Sequence, residues 1–398
     1  MLWQPSLPER YLKASEDELA RAIAARKAEL GSRLLVLGHH YQQDEVIQHA
    51  DLVGDSLKLS QLAAAEAPRR GARYIVFCGV HFMAETADIL TSDEVEVILP
   101  DLSAGCSMAD MASYDDTVDA WEAIQAAVAG TDQRVIPITY VNSTAAIKAF
   151  VGEHGGACCT SSNARRVFEW AMQGGDEPLA RGERVKILFL PDQHLGRNTA
   201  KSHGIVTEVD AAAGGGEAGC ALWNPRLERG GLKPAQIRDA KVLLWAGHCS
   251  VHKLFRPEHV VAARRESRTV LVHPECAQEV VDLADLSGST EFIIDTIDRA
   301  VPGSSWAVGT EVHLVDRIAR RAAARGVHVR ILSECQCLCT TMYRIDQPHL
   351  AWCLDQLAAG KVVNRISVHP EAKRLARLAL DRMLRLAPGR GAQPVSVD

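Results

Sequence analysis

The sequence predicts an α/β protein in which one α/β unit is used three times. Three observations carry that expectation. Short apolar runs alternate with amphipathic stretches along most of the chain, the pattern of strands joined by helices. Most of those runs are apolar on both faces, as in a parallel sheet covered by crossover helices. A pattern of polar residues at the strand ends also recurs three times.

Taken in order, Glu18–Leu30 reads as a helix closed by Gly31. Strands are expected at Leu34–Leu37, Tyr74–Phe77, Val95–Leu99, Val135–Val141 and Val185–Leu190, then at Val242–Trp245, Val270–His273, Phe292–Ile294 and Val327–Leu332. Gly214–Gly219 reads as a loop within a strand-loop-strand. It is a poor dinucleotide loop, because no clean strand precedes it and no helix follows. Ala351–Leu357 reads as a helix, and the last dozen residues, rich in Pro, Gly and Ser, as a frayed tail.

The repeat lies in the strand tips. Leu34–Leu37 ends in Gly38-His39-His40-Tyr41, Val135–Thr139 runs into Tyr140-Val141-Asn142, and Val270–Val272 ends in His273-Pro274-Glu275. Each tip places two polar side chains at i and i+2, on one face of extended chain. A helix-starting turn follows each: Gly54-Asp55-Ser56, Thr160-Ser161-Ser162-Asn163 and Gly288-Ser289-Thr290. A further strand then ends in Gly79-Val80-His81, Asp192-Gln193-His194 or Gly309-Thr310-Glu311. In open parallel sheets, ligands bind beyond the carboxyl ends of the strands. Three hydroxyl-bearing helix starts there would suit a ligand with several carboxylates or phosphates. The plainer reading makes Ser56, Ser161 and Thr290 ordinary N-caps, His39 and His273 structural histidines, and Glu275 a carboxylate complementing a helix dipole.

Composition narrows the class. The 398 residues allow two or three domains at roughly 150 residues each. With 47% hydrophobic and 24% charged residues, wholesale disorder is excluded. A formal charge of −6 argues against a broad basic nucleic-acid surface. Neither a signal peptide nor a run of about 18 apolar residues is present, so a cytoplasmic protein with reduced thiols and no membrane span is expected. The eleven cysteines are an odd number, too sparse for a disulfide scaffold. Cys78 and Cys353 sit in apolar text and read as core. Cys106 lies in a small-residue turn, Cys249 follows a strand, and Cys335-Gln336-Cys337-Leu338-Cys339 packs three thiols into five residues. That spacing alone leaves an iron–sulfur cluster, zinc and inert thiols all open.

Ten ordered motifs resemble the quinolinate synthase family: GHHYQ at 38–42, GDS at 54–56, GCSMAD at 105–110, YVNS at 140–143, CTSSNA at 159–164, PDQHLGRNTA at 191–200, GHCSVH at 247–252, HPEC at 273–276, SGST at 287–290 and CLCTTMYRID at 337–346. The resemblance runs from about Leu34 to about Leu354. It implies three pseudo-threefold-related, three-layer α/β/α domains with parallel sheets around a central active-site cavity. The expected boundaries are residues 1–110 with the 340–398 helices folding back on them, 111–249, and 250–339.

The resemblance further implies a [4Fe–4S] enzyme of NAD biosynthesis that condenses iminoaspartate with dihydroxyacetone phosphate. Cluster ligands then fall on Cys106, Cys249 and Cys339, the last because it stands three residues before Met342. Cys335 and Cys337 depart from the Cys-x-x-Cys pair of some relatives, which puts redox regulation through them in doubt. Substrate contacts fall on His39, Ser56, Tyr140, Asn142, Ser161 (taken in preference to Ser162), His273, Glu275 and Thr290, with Tyr41 and His252 as further active-site positions. Glu275 would be the main general acid–base, and Tyr41, His39 and His252 its neighbours. An aspartate oxidase or dehydrogenase would be a transient partner supplying the imine. Two rival readings are a zinc-dependent hydrolase or lyase on the same thiols, and an iron–sulfur sensor binding protein or RNA.

Overall fold

In the computed structural model, residues 4–334 and 337–387 are described. Cys335 and the final residues, expected as a neighbour of the ligand thiol and a frayed tail, lie outside the described residues. Chain contacts form two compact units. The first takes residues 4–106, 311–325 and 337–370, and the second takes 107–310, 326–334 and 371–387.

The strands, in chain order, are β1 (Leu34–His39), β2 (Leu52–Gly54), β3 (Tyr74–Cys78), β4 (Glu96–Ile98), β5 (Gln133–Tyr140), β6 (Ala157–Cys159) and β7 (Arg184–Leu190). There follow β8 (Cys220–Trp223), β9 (Val242–Trp245), β10 (Thr269–Val272), β11 (Leu286–Ser287), β12 (Ser305–Gly309), β13 (His328–Ile331) and β14 (Arg365–Ile366). The first unit holds the sheet β14-β4-β3-β1-β2, and the second holds β6-β5-β7-β9-β8 and β11-β10-β12-β13.

Every pairing is parallel except β14 on β4. Counted from each sheet's first strand, the shared order is second-first-third, β2-β1-β3, β6-β5-β7 and β11-β10-β12; the next strand is the fourth in two sheets (β4, β13) and the fifth, β9, in the other, where β8 is added at the edge. The protein is thus α/β with one sheet topology repeated three times. Central strands are buried over most of their length, β1 at all six positions and β7 at all but Arg184. This is the physical source of the two-faced apolar runs.

The first strand of each sheet carries the polar tip. The register sets His39 opposite Gly54, Tyr140 opposite Cys159, and Val272 opposite Ser287, so each tip lies beside the turn that opens the next helix. Gly288 serves such a turn, since a Cβ there would lie 1.9 Å from the Phe292 ring.

Phe292–Ile294 is not a strand. It lies in the helix Thr290–Asp298, whose N-cap Ser289 accepts from the Phe292 amide. Ile293, Ile294 and Ile297 form its buried stripe, and a three-residue apolar run does not separate that helical period from a strand. The third strand of this sheet is instead β12. Gly214–Gly219 follows the helix Glu208–Ala212 rather than a strand, and leads into β8.

The N-terminal helix runs over Glu16–Leu30, started by a capping box between Ser15 and Glu18. In the first unit it meets the helix Gln347–Ala358, where Asp355 accepts from Arg26 Nε at 2.7 Å and from the Tyr11 hydroxyl at 2.6 Å. The helix Pro370–Arg385 lies in the second unit, where Asn163 donates to the Met383 carbonyl at 3.0 Å. Chain contacts place the helix Gln347–Ala358 in the first unit and residues 371–387 in the second. Among the described residues, no helix is long and apolar enough to cross a membrane.

Candidate functional site

In the second unit, the tips of β5 and β10 bring five of the expected residues into one network. Glu275, 3% exposed, accepts from the Tyr140 hydroxyl at 2.5 Å through Oε1 and from His252 Nδ1 at 2.9 Å through Oε2. His252 Nε2 faces Thr310 Oγ1 at 3.2 Å, and its ring stacks on His273 with centroids 4.5 Å apart. The Glu275 amide donates to His273 Nδ1 at 3.3 Å. The imidazole proton therefore sits on Nε2, directed at Ser161 Oγ 3.2 Å away.

Charge follows from this wiring. Burial pushes the Glu275 pKa up, but the facing imidazoles and the hydrogen bonds from His252 and Tyr140 outweigh it and bring it down to about 2. Burial, with help from His252, brings His273 down to about 3 against the pull of Glu275. Because His273 is then neutral at pH 7, the Glu275 carboxylate leans on His252 and Tyr140. Asp192 goes the other way: burial and the nearby Glu275 charge push its carboxyl well above the usual range.

Asn142 follows on the β5 tip, and its Oδ1 is buried with no partner among the described residues, an acceptor available to a ligand. Thr290 is 3% exposed. Neither it nor Ser56 is an N-cap: Ser289 and Asp55 fill that role, and both hydroxyl residues stand at the first helical position. Helix capping, the plainer reading, is therefore not the role of Ser56 or Thr290. Ser161 is not a cap either, since Asn163 starts its helix.

In the first unit, the β1 tip repeats the β10 arrangement. The Tyr41 amide donates to His39 Nδ1 at 3.1 Å, as Glu275 does to His273, and the two rings meet edge-on at 4.7 Å. Gln42 is fully buried and donates to the Met342 carbonyl at 3.2 Å. Gln43 reaches the Ile345 carbonyl at 3.2 Å. These contacts tie the segment after Cys339 to the tip that carries Tyr41.

The thiols separate by exposure. Among the described cysteines, Cys106, Cys249 and Cys339 are partly exposed and all the others are buried. Burial pushes the Cys78, Cys158 and Cys220 thiols up to about 12, and Cys159 and Cys353 well above their usual range, so these stay protonated and inert. Burial also raises Cys339, against a hydrogen bond from Thr341.

The three exposed thiols occupy one equivalent position. In each repeat, the first residue of the helix after the third strand donates its amide to the carbonyl two residues before the cysteine. His81 donates to Ala104 at 2.8 Å, Gln193 to Gly247 at 3.0 Å and Val312 to Cys337 at 3.2 Å. The corresponding cysteines are Cys106, Cys249 and Cys339, so Cys337 has the role of Ala104 and Gly247. Gly247 is required as glycine, since a Cβ there would lie 2.3 Å from the Pro191 carbonyl oxygen.

In two repeats the helix N-cap is a buried acid that also holds the cysteine's own amide. Asp192 accepts from Leu195 N at 2.6 Å with Oδ1 and from Cys249 N at 3.2 Å with Oδ2. Glu311 accepts from His313 N at 2.8 Å with Oε2 and from Cys339 N at 3.4 Å with Oε1. Each matched loop thus presents a thiol, a soft donor of the kind that suits iron or zinc. Cys249, His252 and Glu275 also offer ligand atoms within 4.8 Å of one another, but both nitrogens of His252 are engaged, by Glu275 and Thr310.

The sequence reading did not give Asp192, Asn198, Glu311, Thr310 or Arg317 a role. The signals were present, because the first two lie in the PDQHLGRNTA motif and Thr310-Glu311 was one of the repeated tips.

The model of the family described as quinolinate synthetase A protein matches residues 21–385. The chain is 52% identical over 380 residues to quinolinate synthase of Acidobacterium capsulatum, covering 95% of each chain. It is 51% identical over 395 residues to that of Corynebacterium glutamicum, covering 99% of this chain and 94% of the relative. With quinolinate synthase of a Nocardioides species it shares 54% identity over 381 residues, 95% of this chain and 91% of the relative. Fold, strand-tip motifs and these relatives agree: the chain belongs to the quinolinate synthetase A family.

Proposed function

We propose that this chain is a quinolinate synthase, condensing iminoaspartate with dihydroxyacetone phosphate to form quinolinate, phosphate and water in the cytoplasm. The observation that carries the reading is the matched position of Cys106, Cys249 and Cys339, the three described thiols left accessible. They would hold a [4Fe–4S] cluster, which supplies Lewis acidity through the one iron lacking a protein ligand.

The remaining work falls to the chain's own side chains. Phosphate loss, carbon–carbon bond formation, imine closure and dehydration all require proton transfers. Glu275, ionised and fed by two donors, would accept a proton at a carboxylate oxygen and, with its pKa held low, give it up readily. Tyr41 beside His39, and His252 behind Glu275, can relay it. His273 presents Nε2–H as a donor, and Asn142 offers a buried acceptor. Tyr140 holds Glu275 in place. Ser56 and Thr290, at helix starts, and Ser161 on its turn would hold the substrate carboxylates and the phosphate. An aspartate oxidase or dehydrogenase would supply the imine as a transient partner.

The test is an anaerobic assay of the purified protein with enzymatically generated iminoaspartate and dihydroxyacetone phosphate, read as quinolinate. Absence of product from protein carrying a full complement of iron and sulfide would overturn the proposal. The second reading, a zinc-dependent hydrolase or lyase, would use the same thiols or the Cys249–His252–Glu275 trio once His252 gave up a hydrogen bond. Metal analysis separates them: a brown protein with iron and sulfide supports the first, and a colourless protein with stoichiometric zinc the second.

A further inference from the structure

We propose that Asn198 and Arg317 are positioning residues that fix the backbone on either side of Glu275 and Tyr41, two of the groups to which the proposed function gives proton transfer. The inference rests on that reading for what the two groups do, and on geometry for how they are held. Asn198 Nδ2 donates to the Pro274 carbonyl at 2.9 Å and to the Cys276 carbonyl at 2.9 Å, the peptides flanking Glu275. Arg317 Nη1 donates to the His40 carbonyl at 2.8 Å and Nη2 donates to the Gln42 carbonyl, the peptides flanking Tyr41. Its Nε is engaged by Asp44 at 2.8 Å.

The two grips are the same device. Asn198 is the sixth residue of the helix Gln193–Ser202, and Arg317 the sixth of the helix Val312–Ala323. Each helix follows the third strand of its repeat. Each has a buried acid as N-cap, Asp192 or Glu311, that holds a cysteine amide. One rigid helix therefore sets a candidate ligand at its start and a proton-transfer residue one and a half turns later.

Two different side chains arrive at this from one position. An amide and a guanidinium have in common two donor directions in a plane, which two carbonyls separated by one residue require. The Asn198 Oδ1 is buried without a partner among the described residues, so the side chain is kept for its donor alone. In both tips one gripped carbonyl, that of Pro274 or His40, lies in the same peptide as the amide that bonds to a histidine Nδ1, Glu275 to His273 and Tyr41 to His39. The grip thus also sets the tautomer of the neighbouring imidazole.

The experiment compares full-length, anaerobically purified wild type with Asn198→Leu, Asn198→Asp, Arg317→Lys and Arg317→Gln, each checked for iron, sulfide and melting temperature. Expected are a fall in kcat of about 10- to 100-fold with KM within about threefold, and a shift of the acidic limb of the pH–rate profile in the Asn198 variants. Amide hydrogen exchange should accelerate at residues 273–276 in the Asn198 variants and at 39–43 in the Arg317 variants, and not elsewhere. Unchanged kcat with unchanged exchange at the tips overturns the proposal. So does a loss of activity that merely tracks lower melting temperature, lost iron and exchange raised throughout the chain. If wild type makes no quinolinate, the functional reading fails while local exchange still decides whether the two side chains hold the tips.

Discussion

Replacing Glu275 with Gln probes the centre of the second unit's network with little change in volume. The carboxylate receives two buried hydrogen bonds, from Tyr140 at 2.5 Å and from His252 at 2.9 Å. Glutamine keeps one acceptor oxygen and turns an amide donor toward the other partner. Losing one charge-assisted bond costs about 1.5–3 kcal/mol, a few degrees of melting temperature at most in a chain of this size. The effect on turnover is larger, because general acid–base transfer contributes about 10²- to 10⁴-fold, or about 3–5 kcal/mol of barrier. Glu275 is not among the three thiols, so iron and sulfide content should equal wild type. The assay is anaerobic quinolinate formation across pH, with the metal content of each sample measured beside it. Turnover within about threefold of wild type and an unchanged pH profile, at full cluster content, would refute the assignment of proton transfer to Glu275.

Other outcomes follow from the same geometry. Cys339→Ser should lose cluster iron, whereas Cys337→Ser should retain it, because Cys337 holds the backbone position of Ala104 and Gly247; equal iron contents in the two variants would reject the equivalence of the loops. Asp192→Asn should keep the fold, since one oxygen still caps the helix, yet release iron to a chelator several-fold faster because the Cys249 amide loses its acceptor. A release rate equal to wild type would count against that clamp. Acid should destabilise the protein. His194 and His273, both brought down to about 3 by burial, stay neutral when folded and take up protons when unfolded below pH 6.5. Their stabilisation is complete above that pH and falls by about 1.4 kcal/mol per pH unit for each as pH drops toward 3. Glu275, lowered to about 2, adds a further loss below about pH 4.5. His313, raised by its hydrogen bond to Glu311, and Asp192, pushed up by burial and the Glu275 charge, pull the other way and offset part of the histidine effect. Chemical denaturation at pH 7.5 and 5.5 measures the balance, and equal stability at the two pH values would contradict it.

Much of this was legible in the chain itself. Apolar runs two faces deep determine a buried parallel sheet whatever the rest of the fold does, because strands shielded on both sides have no polar alternation to show. The tips His39-His40-Tyr41, Tyr140-Val141-Asn142 and His273-Pro274-Glu275 were visible because polar side chains interrupt those runs at a fixed place. What escaped was short or ambiguous. The strands β2, β6, β11 and β14, of two or three residues, carry too few side chains for a period, whereas β4, equally short, sits in the longer apolar run Val95–Leu99. Phe292–Ile294 reads as strand or helix equally well until Ser289 is seen to cap it.

The sequence by itself determined the α/β class, the threefold recurrence and the residue types of the candidate site, because these depend on local period and on chemistry carried by single side chains. Only tertiary structure decided which of the described thiols are accessible, that Ser56 and Thr290 are not N-caps, and that Asn198 and Arg317 donate to the tip carbonyls. Those outcomes depend on hydrogen bonds between residues tens to hundreds of positions apart. In such pairs, burial and direction rather than residue type set what a side chain can do, and neither is written in the local sequence.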